Sequence, residues 1–129
     1  MSDERKRVAS GAAWESRVGY CRALRAADYI YVSGTAPVAE NGGVHSPGDG
    51  EGQARRCIEI IASALTELGA GLEHAVRTRM FVTDISRWQE FGQAHAEAFG
   101  PHPPATTMVQ VDALIDPEML IEIEADALL

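Results

Sequence analysis

The residues that point to chemistry gather near the C-terminus. In residues 120–128, Glu122, Glu124 and Asp126 alternate with Ile121, Ile123, Ala125 and Ala127. In a strand, a period of two sends the carboxylates to one face and the apolar side chains to the other. Three carboxylates in a row do not enter an apolar core unpaired. Desolvated beside one another, one of them would keep its proton to an unusually high pH, which suits a general base or a group that positions water. The plain alternative is a solvated or salt-bridged strand face, and alternation alone favours it.

Other chemistries find little footing. His45, His74, His95 and His102 show no HxH, HExxH or Cys/His spacing, so no metal is expected. The run Gly48-Asp49-Gly50-Glu51-Gly52 lacks the lysine and the preceding strand of a phosphate-binding loop, and no GxSxG elbow is present. Cys21 and Cys57 form no CxxC pair and read as buried free thiols, which suits a reducing cytoplasm. Nineteen acidic against eleven basic side chains give a net charge of −8, which repels a phosphate backbone, and the one basic cluster, Arg5-Lys6-Arg7, sits beside Asp3 and Glu4. Nucleic acid is therefore not an expected partner. Nor is a membrane: no stretch approaches the roughly 18 apolar residues of a span, and the N-terminus has no signal-like apolar run. A cytoplasmic protein is expected.

The elements that must position the carboxylates follow from patterning. At 129 residues, 46% hydrophobic and 23% charged, the chain fits one globular domain. Residues 20–24 and 29–33 alternate around Ala26-Ala27-Asp28 and predict a hairpin. Glycine, proline and asparagine between residues 41 and 50 predict the longest loop. Ala54, Ile58, Ile61, Leu65 and Leu68 step by four and three, so residues 53–68 predict an amphipathic helix closed by Gly69. Residues 76–83 are β-branched and predict a strand. Ser86 and Gln89 have capping-box spacing for a second helix, with Trp88, Phe91, His95 and Ala98 on its packed face and Gly100-Pro101 at its end. Residues 106–111 and 120–128 predict two further strands. Two helices cover one face of such a sheet; the other is semi-polar, and is either wet or met by partner subunits.

In this order, Tyr31-Val32-Ser33-Gly34-Thr35-Ala36-Pro37-Val38, Gln53-Ala54-Arg55, Val82-Thr83-Asp84, Pro104-Ala105-Thr106-Thr107 and Ile121-Glu122-Ile123-Glu124-Ala125 resemble the Rid family. These are the reactive intermediate deaminases, also called YjgF-like and labelled endoribonuclease L-PSP. The likeness runs from about residue 19 to residue 127. It implies a chorismate-mutase-like α/β (α+β) subunit, with one mixed sheet and two helices on one face. Three such sheets form a trimeric barrel with ligand sites in the clefts between subunits. Family members that deaminate clamp the carboxylate of a 2-imino acid with an arginine and use a last-strand glutamate to place or activate water, without cofactor or metal. Carried onto this sequence, the glutamate is Glu122, the ring-bearing residue is Tyr20, and the strand-end pair is Ser33 and Gly34.

The likeness departs where the clamp belongs, because the residue after Pro104-Ala105 is Thr106. Charge-assisted hydrogen bonds are worth about 1.5–3 kcal/mol each, so a hydroxyl in place of a guanidinium forfeits roughly two to four decades of affinity for an acidic ligand. Met108 stands where many members carry cysteine, and Gly92 where some carry asparagine. Arg17, Arg22, Arg25 and Arg79 are the candidates to supply the missing cation. The resemblance thus implies a small-molecule-binding homotrimer whose cleft is shaped by Tyr20, Ser33, Gly34, Thr106 and Met108, with Glu122 hydrolysing an imine or enamine. The alternative is a non-catalytic ligand-sensing or partner-binding trimer. A cation opposite Glu122 separates the two. Ribonuclease activity, suggested only by the family's older label, conflicts with the acidic balance.

Overall fold

The computed structural model describes residues 4–129; Asp3, named above beside the basic cluster, lies outside them. Nine elements follow in chain order: β1 (Arg5–Val8), α1 (Ala13–Val18), β2 (Ala23–Ala26), β3 (Tyr29–Thr35), α2 (Gly50–Glu67), β4 (Ala75–Val82), α3 (Trp88–Phe99), β5 (Ala105–Gln110) and β6 (Ile121–Leu128). The strands form one six-stranded sheet in the order β1-β2-β3-β6-β4-β5. Only β4 and β5 run parallel, joined through α3, so the sheet is mixed as expected.

The alternation in β6 does what its sequence dictates. Ile121, Ile123, Ala125 and Ala127 are buried under the helices, while Glu122, Glu124 and Asp126 turn to the opposite face. From α2, Ala54, Cys57, Ile58, Ile61 and Leu65 fill the same core, and α3 adds Phe91, Ala94 and Phe99. Each fully buried large apolar side chain contributes roughly 1.5–3 kcal/mol, so this helix-covered face carries most of the stability.

The hairpin turns at Ala27 and Asp28, with Ala27 in the left-handed region at φ 55°. Helix α2 starts three residues earlier than its apolar period, because the Asp49 carboxylate accepts from Gly52 N at 2.9 Å and caps it. The loop before it holds one isolated bridge, Val38 to Val44.

Four expectations need correction. Strand β1 was not anticipated, because three of its four residues are exposed arginine or lysine and only Val8 reaches the core; pairing with β2 holds it. Helix α1 is six residues long, too short for a visible period. The Ser86–Gln89 capping box does not form. Instead, Asp84 Oδ1 accepts from Ser86 N (3.0 Å) and Ser86 Oγ (2.6 Å) and caps a 3-10 turn, leaving α3 to start at Trp88 without a side-chain cap. Trp88 is 55% exposed rather than packed into the core, because α3 turns Phe91, Ala94, His95 and Phe99 inward and leaves the indole over Gly92.

Candidate functional site

The site forms where β3 breaks step with β6. Val32 pairs with Ala125 but Thr35 with Ile123, so Ser33 and Gly34 take up one residue more than the partner strand and bulge. Bulges re-aim side chains and backbone, and here three hydrogen bonds fix the result. Ser33 N donates to Arg22 O at 3.0 Å, Ser33 Oγ to Cys21 O at 2.8 Å, and Thr35 Oγ1 to Ser33 O at 2.8 Å.

Opposite the bulge lies Glu122. A Cβ added to Gly34 would stand 2.4 Å from Glu122 Oε2, so the carboxylate rests against bare backbone that only glycine supplies. Burial raises the proton affinity of Glu122 above the usual carboxylate range, and neighbouring Glu124 raises it further, while the positive charge of Arg22 pulls the other way. The net direction is upward.

Arg22 is the cation of this site. Its side chain is 7% exposed, and its guanidinium lies 5.6 Å from the centre of the Tyr20 ring. Nη2 donates to Gly34 O at 2.5 Å, and Nη1 stands 3.8 Å from Glu15 Oε2 on α1. Glu15, itself buried, accepts further from Ser10 N and Ser10 Oγ. Arg22 Nε has no hydrogen-bond partner among the described residues. Arg22 as a residue lines the cleft, and a carboxylate is the acceptor that a guanidinium matches best.

Tyr20, Arg22, Ser33, Gly34, Glu122 and Glu124 share one cleft of about 560 Å³. Four of the six residues singled out from the sequence are therefore brought together by one chain, and two are not. Thr106 lies on the helix-covered side of edge strand β5, in register with buried Thr78. Its Oγ1 donates to Thr78 O (3.2 Å) and lies 2.5 Å from Thr78 Oγ1, which in turn meets His95 Nε2 (2.8 Å). Met108 lies along the same edge and packs against the core. Neither lines the Glu122 cleft within the single chain, because both face the helices and β4 stands between β5 and β6.

The other arginine candidates are not among the residues that line the cleft, although Arg79 and Arg17 touch two that do. Arg79 binds Glu124 at 3.1 Å and Asp126 at 3.3 Å, Arg25 donates to Leu68 O and Ala27 O, and Arg17 lies over Trp14 at 5.8 Å. Arg22 was thus one candidate among four in sequence. Its spacing of two from Tyr20 was the available signal, since an extended segment puts such neighbours on one side. Trp14 and Val18, which also line the cleft, were missed with α1. Among the described residues, no three His, Cys, Asp or Glu side chains cluster so as to hold a metal ion, and no helix is long and apolar enough to cross a membrane.

Residues 10–129 match the family described as Endoribonuclease L-PSP. The chain belongs to the Rid/YjgF family. This Rid protein is similar over 98% of its length to all of a Mycobacterium tuberculosis structure described as a member of the YjgF/YER057c/UK114 family, with 46% identity and a TM-score of 0.89. A Yersinia pestis structure of the conserved Rid protein family superposes with a TM-score of 0.86 at 26% identity, over 98% of this chain and 100% of the other. Among curated relatives, the 3-aminoacrylate deaminase RutC of Acinetobacter baylyi is 35% identical over 108 residues, covering 84% of this chain and 85% of the relative.

Proposed function

We propose that this Rid protein is an imine or enamine hydrolase in which Glu122 acts on water and Arg22 holds the substrate carboxylate. The carrying observation is the buried Arg22 guanidinium, with its unpartnered Nε, in the same cleft as the proton-retaining Glu122. In this reading Arg22, at the bend just before β2, supplies the cation that Thr106 cannot. The Acinetobacter relative is named for deaminating 3-aminoacrylate, a small acid with a C–N bond of this kind.

The chemistry needs no electron transfer. A water oxygen bonds to the imine carbon while Glu122 takes one of its protons. The C=N electron pair moves to the nitrogen, which takes that proton from Glu122; the carbinolamine then collapses, Glu122 passing its hydroxyl proton to the nitrogen as the C–N bond breaks, so that ammonia and a keto acid leave. A carboxylate with raised proton affinity suits both halves of this transfer.

The working form in this reading is a homotrimer in the cytoplasm. The sheet face away from the helices exposes Tyr29, Tyr31 and Val109 beside the Arg79–Glu124–Asp126 cluster, a mixed surface suited to partner copies. In such a trimer the β5 edge of a neighbour would bring Thr106 and Met108 to the cleft.

The test couples an amino-acid oxidase, which makes imino acids in situ, to the protein and follows keto-acid formation. Wild type accelerates it, and Glu122→Ala and Arg22→Gln do not. The uncharged Thr106 favours the non-catalytic alternative. An inactive wild type with activity gained in Thr106→Arg would establish that alternative and overturn the reading above.

A further inference from the structure

We propose that Gln53 is a positioning residue for Glu122, its side-chain amide standing in for a strand that β3 does not supply beside the entry to β6. The kinetic consequence rests on the hydrolase reading. Pairing of β3 with β6 ends at Thr35 and Ile123, while β4 continues to Val82 opposite Ile121. The chain that leads into Glu122 is thus paired with a strand along one edge only.

Helix α2 fills the gap. Gln53 is fully buried; its Oε1 accepts from Leu120 N at 2.8 Å, and its Nε2 donates to Glu118 O at 3.0 Å and to Ser46 O at 3.3 Å. A C=O and an N–H two residues apart, bonded to one amide, are what a residue of a parallel strand would bond opposite Met119. One orientation of the amide alone meets these partners, since its nitrogen faces two carbonyls and its oxygen an N–H. One turn along α2, the Cys57 thiol lies 3.9 Å from Ile121 O, so the same helix face follows β6 towards Glu122.

The amide is itself held. Gln53 N donates to Asp49 O at 2.9 Å, Asp49 caps the helix through Gly52 N, and Gly50 N donates to Glu90 Oε1 of α3 at 3.2 Å. On the other side Leu120 O accepts from Thr83 N at 3.1 Å, just past the end of β4. Leu120 is therefore fixed between α2 and β4, two residues ahead of Glu122. Without the amide, Leu120 N and Glu118 O lose their partner, and the open edge is free to lean and carry the carboxylate off its seat against Gly34. A misplacement of about 1 Å costs on the order of 100-fold in rate, so half of that costs roughly tenfold.

The experiment compares wild type with Gln53→Met, which nearly keeps the length of the side chain but not its amide, and with Phe99→Leu, a core change on α3. It measures kcat and KM for imino acids made in situ, the titration of the Glu122 carboxyl carbon by NMR, and solvent exchange of the Leu120 amide proton. For Gln53→Met, kcat should fall about tenfold with KM within about twofold, and Leu120 should exchange at least about tenfold faster. The Glu122 titration should move down towards the ordinary range, because burial is what raises it. Phe99→Leu should lower the melting temperature yet leave kcat per folded molecule and the titration where they were. Unchanged kcat and titration in Gln53→Met overturn the proposal. So does an equal loss in Phe99→Leu, since stability alone would then explain both. If wild type hydrolyses no imine but the Glu122 titration moves in Gln53→Met, the positioning holds and the hydrolase reading falls. Where Gln53→Met fails to fold, wild type decides: a Leu120 amide that exchanges as slowly as those of β6 supports the strand-like hold, and one that exchanges like an open loop overturns it.

Discussion

Replacing Gly34 by alanine separates the site from the fold. The added Cβ would meet Glu122 Oε2 at 2.4 Å and Cδ at 3.2 Å, whereas ordinary contact begins near 3.4 Å. The carboxylate must retreat by about 1 Å, and a misplacement of that size costs on the order of 100-fold in rate. The fold has less to lose. Gly34 is not among the positive-φ residues, and the atoms in the way belong to the end of a flexible side chain. Glycine to alanine also restricts the unfolded chain, which offsets part of any strain, so stability should stay within about 1 kcal/mol of wild type. The assay is keto-acid formation beside thermal unfolding of the same preparations. Glu122→Asp, shorter by one methylene, makes room for the new methyl, so adding Gly34→Ala to it should cost little more than Glu122→Asp alone. An unchanged kcat/KM in Gly34→Ala would refute the role given to the carboxylate's position. A large loss of melting temperature would refute the claim that only the side chain yields.

Further outcomes follow from the same geometry. Glu122→Gln should melt above wild type at pH 7. A carboxyl whose folded pKa is raised favours the native state when protonated, so the two proteins converge below the ordinary value of 4.5 and part as pH rises through the folded one. Arg79→Met removes the cation from Glu124, a carboxylate that already raises the proton affinity of Glu122. The acid limb of the kcat/KM profile should therefore move to higher pH, and an unmoved limb would sink the coupling. Burial pushes the Cys57 thiol far above its ordinary range, so native protein should react with a thiol reagent only at half-exposed Cys21, Cys57 following on unfolding, as counted by mass spectrometry.

How far the sequence could be read depended on the kind of signal each element left. The alternation in β6 and the period of α2 are local, and both faces came out as the patterns require. The face that carries Glu122 was legible for that reason, but only the family likeness singled Glu122 out among its three carboxylates. The bulge at Ser33 and Gly34 was not, because register is a property of two strands and only the pairing with β6 reveals it. Thr106 was placed among cleft residues on family likeness, yet its parallel register with Thr78 turns it towards the helices in the single chain. Trp88 failed differently. Its size argued for the core, but α3 buries Phe91, Ala94, His95 and Phe99 and leaves Trp88, its first residue, exposed.

The division of charge across the sheet explains why one of three similar carboxylates stands apart. Glu122, Glu124 and Asp126 share a strand and a face, and nothing local distinguishes them. Arg79, which pairs in register with Glu124, takes up Glu124 and Asp126 together, so neither is a spare base. Glu122 pairs in register with Phe81 instead, and so has no cation on that neighbouring strand. The cation nearest it, Arg22, spends one N–H on Gly34 O and faces Glu15, which leaves Glu122 influenced but not neutralised. Arg22 Nε is buried with no hydrogen-bond partner among the described residues, a cost in a folded chain. The same guanidinium therefore tempers the proton affinity of Glu122, and in the proposed reading it is the cation that Thr106 lacks the charge to be.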